Sequence, residues 1–190
     1  MRPNGMTVRT LILVLLVVML ASGCQYRFGI VGDSVTQDSR DELEAHHAYV
    51  RAFGGVDIRA GRPSLQLMAR AGLPVVVSAV GSFDVAFGAS PAALRRRLRH
   101  AMTDTASVDC VIWLEQNENP NVHADWPARA AQFNDILHRV AANHGVLVAP
   151  WSALAAQHPT AWFRSDGIHL RPRGQRGYAA FINRFVLQHC

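Results

Sequence analysis

A serine hydroxyl attacks an ester only when a base takes its proton and a carboxylate holds that base in one tautomer. Two short stretches of this sequence carry those three groups. Gly32-Asp33-Ser34-Val35-Thr36 follows an apolar run near the start, and Ser165-Asp166-Gly167-Ile168-His169 lies near the end. Asp166 and His169 stand three residues apart around Gly167, so a turn there lets the carboxylate touch the imidazole. A serine at a strand-to-helix turn is exposed, and a helix start favours developing negative charge. Gly32 is expected to permit the sharp turn. Each stretch has a plainer reading as well. Asp-Ser ahead of a helix is a common cap, and His169 is one of 9 histidines.

The two stretches need a scaffold that joins opposite ends of the chain. Phe28 to Val31 reads as a first strand ending at Gly32. Residues 40–52 read as a helix, Val56 to Ala60 as a second strand ending at Gly61, and 63–71 as a helix closed by Gly72. Pro74 to Val80 is apolar nearly throughout, as in the middle of a parallel sheet. Ser90-Pro91 opens a helix to about Met102, with serine as cap and proline in the first turn. Cys110 to Leu114 reads as a fourth strand, Trp126 to Asn143 as a helix, Gly145 to Pro150 as a fifth strand, and Gly174 to Leu187 as a last helix. Alternating strands and helices predict an α/β fold with a five-stranded parallel sheet and helices on both faces. Chemistry in such sheets sits at the carboxyl ends of the strands. Residues just after strands are therefore the candidates.

Taken together, Gly-Asp-Ser near the start and Asp-x-x-His near the end resemble the SGNH, or GDSL, hydrolase family. The resemblance spans most of residues 28–187. It implies a flavodoxin-like three-layer αβα sandwich that hydrolyses or transfers acyl groups on esters. The small domain shows no lid insertion, so an open site and short acyl groups such as acetyl are expected. The resemblance implies Ser34 as nucleophile and first oxyanion donor, His169 as base and Asp166 as its acid. Gly61 matches the family glycine whose N–H is the second donor. The family block Gly-x-Asn-Asp reads here Gly81-Ser82-Phe83-Asp84, so Phe83 stands where an oxyanion asparagine is expected. Ser82, Asn117 and Asn119 are candidate substitute donors. Phe83 could line an acyl pocket, and Trp162-Phe163 could wall the site. The Gly-x-Ser-x-Gly elbow of the α/β-hydrolases is absent at Ser34.

Composition sets outer limits. The chain has 190 residues, 49% of them hydrophobic, enough for one core. All 19 basic residues are arginine and the net charge is +5. The run Arg95, Arg96, Arg97 and Arg99 reads as the wet face of a helix rather than a nucleic-acid patch. Arg2 and Arg9 precede the apolar run Leu11 to Ala21, too short for a comfortable membrane span but suited to a signal peptide. Residues 1–23 read as that signal and 25–190 as one domain. Ala21-Ser22-Gly23-Cys24 resembles a bacterial lipobox with Ala21 in place of the usual Leu, which makes Cys24 a candidate lipidated N-terminus. Ordinary signal cleavage fits the same small residues. Cys110 and Cys190 then remain as a possible disulfide or as two thiols. The histidines show no metal spacing, and no phosphate-binding glycine motif occurs. No cofactor, no metal and no nucleic acid are expected. The expected partners are a small-molecule, glycan or lipid ester and a membrane reached through the lipid anchor.

Overall fold

A computed structural model describes residues 26–119, 121–122 and 124–190; the expected signal peptide and Cys24 lie outside them. Five short strands form one parallel sheet: β1 (Phe28–Gly32), β2 (Ala48–Ala52), β3 (Val75–Ala79), β4 (Cys110–Leu114) and β5 (Leu147–Ala149). Their spatial order is β2-β1-β3-β4-β5, the doubly wound flavodoxin-like arrangement. β1 and β3 are buried at every position, because helices cover both faces.

Alternate residues of each central strand feed two separate cores. Phe28, Ile30, Val77 and Ile112 pack into one, and Val31, Val76, Val111 and Trp113 into the other. The first core is closed by α1 (Ser34–Asp38), α2 (Arg40–Glu44), α7 (Trp151–Ala156) and α8 (Pro172–His189). Leu43, Trp151, Tyr178 and Ile182 supply its helical side. The second is closed by α3 (Ile58–Arg70), α4 (Ser82–Ala86), α5 (Pro91–Asp104) and α6 (Trp126–Ala142). Ile58, Leu65, Met68, Leu98, Phe133 and Leu137 supply that side at helical spacing. Cys110 and Cys190 form a disulfide with Cα atoms 6.0 Å apart, tying the start of β4 to the end of α8.

The second βα unit differs from the sequence expectation. The stretch 40–52 is not one helix. It begins as α2, turns at His47 with φ 62°, and continues as β2. There Ala48, Val50 and Ala52 are buried, while Tyr49 and Arg51 are half-buried. That is the two-residue period of an edge strand, run together in the sequence with the helix formers before it. Val56 to Ala60 is not a strand. Asp57 caps α3 by accepting the Ala60 N–H at 2.9 Å, and the helix runs through Pro63. The other four strands and the long helices lie where the sequence places them, within a few residues. Among the described residues no helix is long and apolar enough to cross a membrane.

Candidate active site

The first βα turn builds the candidate nucleophile, Ser34. Asp33, buried beneath the turn, is the cap of α1: its Oδ1 accepts the Val35 N–H at 3.1 Å. Ser34 is therefore not the cap, and its hydroxyl is not spent on the helix start. Gly32 is needed for closeness rather than for a special backbone angle, since a Cβ there would lie 2.1 Å from Thr36 Oγ1. Full burial pushes the Asp33 carboxyl above its ordinary pKa, against the opposing hydrogen bonds from Ser82 and Val35.

The second stretch reaches the same place from the far end of the chain. His169 Nε2 lies 3.0 Å from Ser34 Oγ. On the other side of the ring, His169 Nδ1 lies 2.8 Å from Asp166 Oδ2. The Asp166 Oδ1 atom accepts the N–H of Ile168 at 2.8 Å and of His169 at 2.9 Å. Partial burial acts to raise the Asp166 pKa. The Ile168 N–H, then the His169 ring and N–H, outweigh it and hold the carboxyl below its ordinary value. An ionised Asp166 fixes the proton on Nδ1, so Nε2 faces Ser34 as an acceptor. Gly167 makes the turn between Asp166 and His169, with φ 69°; a side chain there would also press to 3.0 Å on Asn121 and Val122.

Two asparagines after β4 hold this loop. Asn117 Nδ2 donates to Gly167 O at 3.0 Å. Asn119 Nδ2 donates to Pro159 O at 3.0 Å and to Gly167 O at 3.3 Å. The two are joined by the Asn119 N–H to Asn117 Oδ1, 2.7 Å, and Trp126 Nε1 donates to Asn117 O at 2.6 Å. Arg164 adds an ion pair to Asp38 of α1 at 2.9 Å. These contacts were not legible in the sequence. The only hint was that amides stand directly after a strand.

Four of the expected oxyanion donors, Gly61, Ser82, Asn117 and Asn119, are engaged elsewhere. Gly61 lies inside α3, where its N–H donates to Asp57 O at 3.1 Å; the strand expected before it is β2, which ends at Ala52. Ser82 Oγ donates to Asp33 Oδ2. The Asn117 amide serves Gly167. The loop that does follow β2 is Phe53-Gly54-Gly55. Phe53 N–H donates to Gly32 O at 3.2 Å, which lays this loop beside the nucleophile turn. Gly55 has φ +73°, and a Cβ on it would stand 3.7 Å from the Phe83 ring. Neither the Ser34 nor the Gly55 N–H has an acceptor among the described residues.

Phe83 is at the start of α4 and is partly exposed. Its backbone is fixed on both sides. Ser82 is held by Asp33, and the buried Asp84 accepts the Ile58 N–H at 2.9 Å and pairs with Arg97. Arg97 also lies 3.5 Å from Asp57. It is thus half-buried and structural, whereas Arg95, Arg96 and Arg99 are exposed as expected. Phe163, a candidate wall of the site, is buried in the first core. Among the described residues no cluster of His, Cys, Asp or Glu could hold a metal ion.

No family model and no curated protein matches the chain. Solved structures do. A lipase/acylhydrolase from Enterococcus faecalis superposes with a TM-score of 0.70 at 18% identity, covering 84% of this chain and 95% of that one. The C-terminal catalytic domain of peptidoglycan O-acetyltransferase A from Streptococcus pneumoniae gives 0.68 at 18%, covering 85% and 92%. A member of the lipolytic G-D-S-L family from Veillonella parvula gives 0.68 at 15%, covering 86% and 98%. Strand order, layer composition and these superpositions agree: the chain has the SGNH, or GDSL, hydrolase fold.

Proposed function

We propose that the chain is an exported serine esterase or acyltransferase working through an acyl-Ser34 intermediate. The observation that carries this is the 3.0 Å approach of Ser34 Oγ to His169 Nε2, with Asp166 on the opposite ring nitrogen. His169 takes the Ser34 proton as Oγ attacks the carbonyl carbon. Negative charge then develops on the carbonyl oxygen, and the Ser34 and Gly55 N–H groups are the donors we assign to it. The tetrahedral adduct collapses as Nε2 gives its proton to the departing alcohol, leaving the acyl group on Oγ. Water or an acceptor hydroxyl next gives its proton to Nε2 and its oxygen to the acyl carbon. The acid or new ester departs, and Ser34 recovers its proton.

The substrate class follows the similar structures. One is named for peptidoglycan O-acetyl transfer, and another, from Geobacillus, is an acetyl-xylooligosaccharide esterase. A glycan or small-molecule ester outside the cytoplasm is the reading that joins them to the leader-like N-terminus. Lipid at Cys24 would anchor the enzyme at a membrane, and mass analysis of the mature N-terminus tests it. Release of p-nitrophenol from p-nitrophenyl acetate tests the activity; equal rates for the natural protein and Ser34→Ala refute it.

Phe83 favours a second reading, a non-catalytic envelope protein that binds an acylated or glycan ligand on the same scaffold. A fluorophosphonate labels only an activated serine. A folded protein whose Ser34 stays unlabelled supports the binder.

A further inference from the structure

Half of the large apolar side chains that stand exposed among the described residues belong to the two segments that follow β2 and β3. Phe53 is 51%, Phe83 36% and Phe87 73% exposed, whereas the remaining three are scattered. Phe53 sits directly on the nucleophile turn through its N–H to Gly32 O. Phe83 follows Ser82, whose hydroxyl is bonded to Asp33, the neighbour of Ser34. The Phe83 and Phe87 rings pack at 4.3 Å between centroids. The Phe83 ring edge stands 3.7 Å from where a Gly55 Cβ would be, and the Arg51 guanidinium lies over the Phe53 ring, 5.9 Å from its centroid. Contiguous exposed apolar surface is unusual on a protein unless something covers it.

The direction of proton transfer says which half of an ester lies here. His169 must protonate the leaving alcohol, so the alcohol lies on the imidazole side of Ser34. The acid–base loop runs into α8, in the layer of the first core. The aromatic loops run into α3 and α5, in the opposite layer. The acyl group, pointing away from the imidazole, meets the three rings.

We infer that Phe53, Phe83 and Phe87 form an open acyl shelf, so that the ester taken by this site carries an apolar acyl group longer than acetyl. This rests on the esterase reading of Ser34. It revises the preference for short acyl groups that the lack of a lid insertion suggests. Phe83 then exchanges an oxyanion donor for substrate contact. An open shelf covers about half of each methylene, so kcat/KM should rise roughly two-fold per added methylene.

The test uses p-nitrophenyl acetate, butyrate and hexanoate. The natural protein should gain roughly fifteen-fold in kcat/KM from acetate to hexanoate. In the double variant Phe53→Ser, Phe87→Ser, both at exposed positions, the gain should shrink to under about three-fold. A flat or falling series in the natural protein overturns the shelf, as does a double variant with an unchanged slope. Fluorophosphonate labelling separates the two failures. A labelled Ser34 with a flat series removes the shelf alone. No label and no turnover of any ester removes the esterase reading, and the shelf with it.

Discussion

Replacing Phe83 by asparagine should create the third oxyanion donor that this site lacks. The backbone that would present it is already held: Ser82 hangs on Asp33, and Asp84 is gripped by Ile58 N–H and Arg97. The new side chain would leave the same Cα beside Gly55. A single such donor in a dry site is worth about 2.7–4 kcal/mol of transition-state stabilisation. Phe83 is 36% exposed, so water reaches this position and screens the interaction. About half that value, or 1.4–2 kcal/mol, is the reasonable expectation, which is roughly ten- to thirty-fold in kcat. The substitution also removes the ring pair with Phe87, costing about 0.5–1.5 kcal/mol of stability. The assay is steady-state hydrolysis of p-nitrophenyl acetate, a substrate with little acyl group to lose on the shelf. A rise confined to kcat, with a slightly lower melting temperature, fits the reasoning. A folded Phe83→Asn protein with kcat within two-fold of the natural one refutes it, and moves the oxyanion position away from residue 83.

Other variants probe the supports. Asn117→Ala removes one of the two amide donors to Gly167 O and leaves a buried carbonyl less well held, at a cost of about 1–3 kcal/mol by denaturant unfolding. Because Asn119 still holds the loop, kcat should fall roughly ten-fold with KM little changed. The Cys110–Cys190 bond spans 80 residues of sequence, so Cys110→Ser should lower stability by about 4 kcal/mol, and a reductant should do the same to the natural protein but not to the variant. Asp166 has its pKa held down in the folded state. Its contribution to stability is therefore complete above the ordinary carboxylate pKa and is lost as pH falls through the lower folded value. Urea midpoints measured across that acid range should drop less steeply for Asp166→Asn than for the natural protein.

The sequence revealed the sheet where residues are buried on both faces. Runs such as Val75–Ala79 and Cys110–Leu114 are apolar, Ser78 apart, because their side chains enter one or other of two cores, and no competing pattern obscures them. It misled where a strand lies at the edge. Tyr49 and Arg51 interrupt β2, and the helical residues before it run on without a proline or glycine. Misplacing β2 carried the second oxyanion donor to Gly61, when the loop after the true strand holds Gly55. The Ser34, His169 and Asp166 arrangement was legible because its spacing is local within each stretch, and only their meeting was an inference. The support of the acid–base loop was not legible, because a carbonyl such as Gly167 O leaves no mark in a sequence. Nor could composition show that the Ser82 hydroxyl is spent on a buried neighbouring carboxylate.

All five strands run the same way, and the described chain enters at their amino ends, where Arg27 N–H donates to His47 O at 2.9 Å and the Arg27 guanidinium reaches Asn183. Ser34 and His169 lie at the other end of a strand, roughly 17 Å away for five residues. A tether at Cys24 would therefore hold the molecule by its base and turn the reactive rim outward. Such an enzyme would graze on the polymers and solutes above its anchoring surface, and esters within that same surface would stay out of its reach.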